Sequence, residues 1–491
     1  MRAGIVARLA LAGCALLLAG CASFTPRNPP LAKYAPDAGY RFERLEQGDN
    51  SDELFVIVTF SGGGTRAAAL AYGVLEALRD TVIVWRGRKV ALLDEVDVIS
   101  SISGGSFPAA YYALRGRKIF DEFPDRFLYR QVQSDLIRQV LSPASWLKLA
   151  ATGYGRSDLA AEFYDREVFG GGTYADVIAR NRRPFVVLNA TDMTTGAQFP
   201  FIQDQFDMIC SDLAGVPLAR AAASSSAFPG GLTALTFQNY AGTCGYRQPP
   251  WVQLAADDHA SRVNRARTAR AENRLSLAAE GPARPYIHLT DGGVADNIGL
   301  RGPLDAISST NHPWSVLRMM NNQKIDKLVV IVVNAATSPA TDRDKTASVP
   351  GLIDTLTTAA TVPLDNYTTD TLDLLTAAVN QFNEESRLVE GCRKISARQG
   401  AQCAPNIPAP HKVELYPVQV AFEYIASAEE RRWFKNLPTT FELPRETIDR
   451  LRDVGRRILA EDPKFQELVK ALDGCLPTKR QACHLLVGGS K

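Results

Sequence analysis

The chain is punctuated by short, mostly apolar runs that do not alternate with polar residues. They fall at Leu54–Phe60, Val96–Ser100, Pro184–Asn189, Tyr286–Thr290 and Leu328–Asn334. Unbroken apolar runs of this length predict strands buried on both faces. Helical spacing follows the first of them, with Ala68, Leu70, Ala71, Val74, Leu75 and Leu78 in the stretch Thr65 to Leu78. A second helix is predicted after the next strand, from Ser106 to Leu114. Strands alternating with helices predict an α/β fold: a three-layer sandwich, with a mainly parallel central sheet and helices on both faces.

Two stretches interrupt this alternation and read as insertions, near residues 231–285 and 336–412. The first holds Pro249-Pro250 and an Arg-rich helix over Ser261 to Arg274. The second holds an amphipathic helix over Asp365 to Glu390, presenting Leu372, Leu375, Val379 and Phe382. A packing face is the expected role of that stripe, and a lid the lesser one. Trp433 and Phe434 are likewise expected to pack. Beyond Leu443, Ile448, Leu451, Val454, Ile458 and Leu459 recur at helical spacing. The expected organisation is therefore a signal segment over 1–20, a tether over 21–50, a main α/β domain over 51–440 and a helical tail over 441–491.

The N-terminus carries Arg2 and Arg8, then an apolar run from Ile5 to Ala19 that ends at Leu18-Ala19-Gly20-Cys21. That is the layout of a secretory signal. The small residues before the cysteine resemble the lipobox of bacterial lipoproteins, which implies cleavage before Cys21 and lipidation of its side chain. Ala22 follows, which in this resemblance implies the outer membrane, facing the periplasm. No other stretch is apolar and long enough for a span of about 20 residues. The formal net charge is +2. Removing the two signal arginines brings it to about 0 (2 − 2), which gives no basic patch for nucleic acid. Of the 8 cysteines, six lie beyond the signal: Cys210, Cys244, Cys392, Cys403, Cys475 and Cys483. An oxidising compartment favours disulfides, whose connectivity the spacing leaves open. No ligand cluster has metal spacing, so neither metal nor cofactor is expected.

Three short motifs carry chemistry. Ser103 lies in Ser101-Ile102-Ser103-Gly104-Gly105, between a strand and a helix. A sharp strand-to-helix turn exposes such a serine above the sheet, and small residues two positions away let the turn close. An ordinary helix cap is the bland alternative. Ser61-Gly62-Gly63-Gly64-Thr65-Arg66 also joins a strand to a helix; its glycine amides are candidates for holding an oxyanion. Arg66 is expected either to brace that loop or to meet a lipid phosphate. Asp291-Gly292-Gly293 follows the Tyr286–Thr290 run, and a strand-end carboxylate would lie at the sheet edge where α/β folds bind ligands.

In this order the three motifs resemble the patatin-like phospholipase family: a glycine-rich loop, a G-x-S-x-G elbow, then D-G-G. Ala223-Ser224-Ser225-Ser226-Ala227-Phe228-Pro229 is similar to a further family block, and Asn297 follows D-G-G at family spacing. The resemblance spans roughly residues 52 to 335, with features beyond it similar to bacterial lipoprotein members. Ser101 stands where the elbow pattern has glycine. The resemblance implies a Ser103–Asp291 dyad and an oxyanion hole at Gly62, Gly63 and Gly64. Arg66, Gly105, Gly292, Gly293 and Asn297 would support them. It implies hydrolysis of a phospholipid or other acyl ester at the membrane, without histidine. His259, His288, His312, His411 and His484 fit that expectation, since none sits where a triad histidine would. His288, three residues before Asp291 in a strand, should face the other way.

Three rivals remain at this stage. The acyl-enzyme could pass its acyl group to an alcohol, making an acyltransferase. A lipoprotein of this shape could bind lipid or a protein partner without turnover. A glycine loop could bind a nucleotide, although Gly62 to Gly64 complete neither G-x-G-x-x-G nor a Gly-Lys-Ser/Thr ending.

Overall fold

The apolar runs pair side by side. The computed structural model describes residues 28–257, 265–279, 283–337, 352–399 and 411–476. Its strands are β1 (Leu54–Phe60), β2 (Val82–Trp85), β3 (Arg88–Ala91), β4 (Val96–Ile102), β5 (Phe185–Asp192), β6 (Gln198–Pro200), β7 (Leu235–Gln238), β8 (Tyr286–Asp291), β9 (Lys327–Asn334) and β10 (Glu414–Ala421). Helices used below are α1 (Gly64–Asp80), α2 (Ser106–Arg115), α3 (Val132–Val140), α4 (Pro143–Leu149), α5 (Leu218–Ser225), α6 (Arg265–Ala279), α7 (Leu352–Gln399) and α8 (Arg445–Glu461).

The main sheet has the order β10-β9-β1-β4-β5-β8-β7, with β6 beside β5. The strands β10, β9, β1, β4 and β5 run parallel. Every residue of β1, β4 and β5 is buried, as unbroken apolar strands covered by helices on both faces require. The sandwich expected from the sequence is the fold observed, with a mostly parallel sheet between helical layers. The strand β8 departs from that parallel order, pairing antiparallel with β5 and with β7. The edge strand β10 holds Pro417, which an edge tolerates because one side of the strand needs no ladder donor.

The residues expected to form a tether are instead shorter in reach. From Asn28 onward the segment is a strap on the body. Asn28 bonds Ser211 and the Gln238 carbonyl, and the buried Tyr40 hydroxyl donates to the Val186 carbonyl. Phe42 and Leu45 are buried in the same core. The signal segment and Cys21 lie outside the described residues.

Helix α8 is also part of the core. Ile448, Leu451, Val454, Ile458 and Leu459 are all buried, and α8 packs along α1. Helix α7 is longer than the expected Asp365–Glu390 stretch, and Leu375, Val379 and Phe382 are buried against the body. The Leu372 side chain lies outside the described residues. Of the Arg-rich helix, the described part is α6. Cys210 and Cys244 form a disulfide. Cys403 and Cys483 lie outside the described residues. Among the described residues, no helix is long and apolar enough to cross a membrane.

Candidate active site

Ser103 follows directly on β4 and opens the short turn into α2. Its φ of +48° lies in the left-handed region, where a non-glycine residue costs on the order of 1–3 kcal/mol. Such a conformation persists only when neighbours hold it. Here the Ser103 amide donates to Ser225 Oγ at 2.9 Å, and Ser225 Oγ donates to the Asn189 carbonyl at 2.6 Å. Ser106 Oγ lies 2.9 Å from Ser225 Oγ and 3.2 Å from Ser101 Oγ. Ser101, in the position where the elbow pattern has glycine, is buried and donates to the Val187 carbonyl. A hydroxymethyl group is therefore accommodated there by β5. The close packing falls on the next residues instead. A Cβ on Gly104 would collide with the Gly64 backbone, and one on Gly105 with Phe60 and the Ser61 carbonyl.

Asp291 closes β8. Its Oδ2 accepts the Ser103 hydroxyl at 2.8 Å, across 188 positions of chain, and its Oδ1 accepts the Gly293 amide at 2.8 Å. The meeting depends on strand direction. Because β8 runs antiparallel to β5, its carboxyl end returns to Ala190, one residue beyond the pairing of Ile102 with Asn189. An antiparallel strand thus delivers the carboxylate to the sheet edge at which Ser103 lies. Thr191 Oγ1 donates to the Asp291 carbonyl, and the Asp291 amide donates to the Ala227 carbonyl. Gly292 lies against the Asn189 carbonyl, with no room for a Cβ.

Burial dominates the electrostatics of this carboxylate. It pushes the Asp291 pKa up to about 6, against the pull of the hydrogen bonds from Gly293 and Ser103. A carboxylate raised toward neutrality accepts a proton more readily than an ordinary one while staying ionised above that pH.

The glycine loop lies beside the elbow. Gly63 and Gly64 have φ of +135° and +60°, conformations suited to glycine. The expected set of three amides needs one correction: the Gly62 amide donates to the Asn297 carbonyl at 2.9 Å. Among the described residues, Gly63 and Gly64 are left as the loop amides without a hydrogen bond of that kind. Arg66 is a brace, and not a free phosphate contact. Its guanidinium donates to the carbonyls of Ala335, Leu437 and Pro438 and to Thr439 Oγ1. The Thr65 amide adds a bond to the Thr440 carbonyl. The segment Leu437 to Thr440 thus holds the loop from outside.

These groups line one cavity of about 610 Å³. Ser103, Asp291, Gly62, Gly63, Gly64, Arg66, Gly293 and Asn297 all face it, and Leu136, Val140, Phe228, Leu232 and Phe441 supply apolar wall. Gly105 and Gly292 sit behind it, in packing roles. His288 is exposed on the sheet and bonds Thr236, away from the dyad, as its strand parity predicts. Sequence reasoning assigned no role to Ser225, Asn189, Thr191 or Thr440. Ser225 had a signal, since it lies in the quoted serine-rich block; the others meet the site through contacts between distant segments that no local motif marks. Geometrically the site sets a hydroxyl against a carboxylate beside backbone amides, an arrangement capable of acyl transfer.

Among solved structures, the chain is similar to human GIVD cytosolic phospholipase A2, at 13% identity over 57% of this chain and 43% of that one, with a TM-score of 0.33. The same protein in complex with a methyl gamma-linolenyl fluorophosphonate inhibitor and terbium chloride matches at 12% identity, over 86% and 59%, with a TM-score of 0.39. VipD from Legionella pneumophila matches at 10% identity, over 93% and 73%, with a TM-score of 0.27. The chain spans roughly half the length of the first two, with shares of 43% and 59%. No curated protein matches it. A family model, patatin-like phospholipase, matches residues 58–304, which is half of the chain and encloses the glycine loop, the elbow and Asp291. The chain belongs to the patatin-like phospholipase family.

Proposed function

We propose that the protein is a serine acyl hydrolase acting on phospholipids or related lipid esters, with Ser103 as nucleophile and Asp291 as its base. The observation that carries this reading is the buried 2.8 Å hydrogen bond from Ser103 to Asp291 at the floor of a largely apolar cavity. Family membership supports the lipid ester class. Asp291 takes the hydroxyl proton as Ser103 Oγ attacks the ester carbon. The oxyanion that forms is held by the Gly63 and Gly64 amides, close to the helix that follows the elbow. Collapse releases the alcohol, which receives the proton from Asp291. Asp291 then draws a proton from water as the water attacks the acyl-enzyme and frees Ser103.

The apolar wall suits an acyl chain, in a cavity of the size that holds small-molecule ligands. Lipidation at Cys21 would keep the enzyme at the cell envelope, in the outer membrane facing the periplasm. Because Asn28 is pinned to the body, only residues 22–27 would separate anchor from body. Six extended residues reach about 20 Å, so the enzyme would stay close to its membrane. The test is lipid product analysis with the purified protein. Free fatty acid and lysolipid are expected from wild type and not from Ser103→Ala; identical product yields from both overturn the reading. The same assay with an added acceptor alcohol reports transfer to that alcohol.

A further inference from the structure

Helix α3 has two faces at the cavity mouth. Leu136 and Val140 turn inward to the cavity wall, while Ile137 and Leu141 line the same cavity at its edge and remain 52% and 64% exposed. Helix α4 continues the apolar surface with Trp146 and Leu147, 59% and 60% exposed. Four large apolar side chains within eleven positions of chain are thus in solvent, and the first two stand at the opening that leads to Ser103. Scattered exposed apolar residues need no explanation, but a run of four that begins at the edge of a ligand cavity does.

Charge narrows the occupant. Residues 131–156 hold three basic side chains, Arg138, Lys148 and Arg156, against one acidic, Asp135. Arg138 and Lys148 are exposed, paired with Asp135 and Glu162 at the side of the patch. Arg156 is exposed, lines the cavity, and has no ion-pair or hydrogen-bond partner among the described residues. An apolar face with tryptophan, and with Arg156 at its entrance not offset by a carboxylate partner among the described residues, is the composition that lies in a membrane interface and meets anionic headgroups.

We propose that the α3–α4 face docks on an anionic phospholipid bilayer, with the cavity mouth opening onto the acyl region. Ile137, Leu141, Trp146 and Leu147 enter the interface, and Arg156 meets phosphate at the entrance. A lipid then passes from bilayer to cavity along continuous apolar surface. The purpose of the contact rests on the lipid hydrolase reading; the contact itself does not require turnover.

The test uses the intact protein with vesicles of phosphatidylcholine and phosphatidylglycerol carrying brominated acyl chains. Quenching of Trp146 is expected, and it disappears in Trp146→Phe while the signal of the other tryptophans is unchanged. Equal quenching in wild type and Trp146→Phe overturns the docking. In a second arm, Trp146→Ser/Leu147→Ser lowers vesicle hydrolysis roughly tenfold or more, because burial of one large apolar side chain shifts an equilibrium by about that factor. Turnover of a monomeric short-chain ester stays at the wild-type rate. Equal loss on both substrates overturns the docking role. Wild type that is quenched yet hydrolyses neither substrate sinks the enzymatic reading and leaves the docking face standing.

Discussion

The floor and the rim of the cavity are held in opposite ways. At the floor, Ser103, Asp291, Asn189, Thr191 and Ser225 bond one another or neighbouring backbone, and each is buried. At the rim, Ile137, Leu141, Trp146 and Leu147 stand in solvent. Chemistry needs groups placed within a few tenths of an ångström, so the floor uses directional bonds on rigid strands. Meeting a fluid surface needs only apolar area in roughly the right place, so the rim uses non-directional contact on short helices. A change at the floor should therefore alter the catalytic step for every substrate, and a change at the rim only the encounter with aggregated lipid.

The largest expected effect is at Asp291. Asp291→Asn keeps the shape of the carboxylate but removes the base, and kcat should fall by about 10²–10⁴-fold while the thermal midpoint changes little. Steady-state rates on a soluble ester check the first, and thermal unfolding the second. Acid should mimic that variant. The Asp291 pKa is raised to about 6, so the ionised base is present above that pH and is lost as pH falls through it. The rate should drop about tenfold per pH unit below that point, read from a pH profile of kcat/KM. A profile that stays flat through this range contradicts Asp291 as base.

Arg66→Met comes next. It leaves the buried Ala335 carbonyl without this donor, at a cost of about 1–3 kcal/mol, and removes the bonds to the less buried Leu437 and Pro438 carbonyls. Urea unfolding should show the loss of stability, and kcat should fall with KM little changed, since the glycine loop loses its brace. The smallest effect sharpens the contrast between dyad and triad. His288→Ala should leave kcat unaltered and stability within about 0.5 kcal/mol, because the imidazole is exposed and, among the described residues, hydrogen-bonds Thr236 alone. A large loss of activity there would mean that the floor extends across the sheet.

Much of the floor was legible in the sequence because its key residues sit in short motifs at strand ends. The unbroken runs at Leu54–Phe60 and Leu328–Asn334 announced buried parallel strands, and Ser103 and Asp291 each follow or end such a run. What was not legible depends on distant packing. Strand direction cannot be read from composition, so the antiparallel return of β8 has no signal in the sequence. The polar, Pro-containing segment after Cys21 read as a tether, although Tyr40 and Phe42 bury themselves in the core. The strand β10 mixes half-buried and buried residues and contains Pro417, which masked it. The Arg66 brace joins positions 371 and 372 residues apart, with no local signal at either end.

The most direct measurement is covalent labelling with a fluorophosphonate probe, read by mass spectrometry of the digested protein. The account predicts a single adduct on Ser103, absent in Ser103→Ala, slowed strongly in Asp291→Asn, and fading as pH falls below about 6. A folded wild-type protein that takes up no probe, or an adduct on another serine, would contradict it.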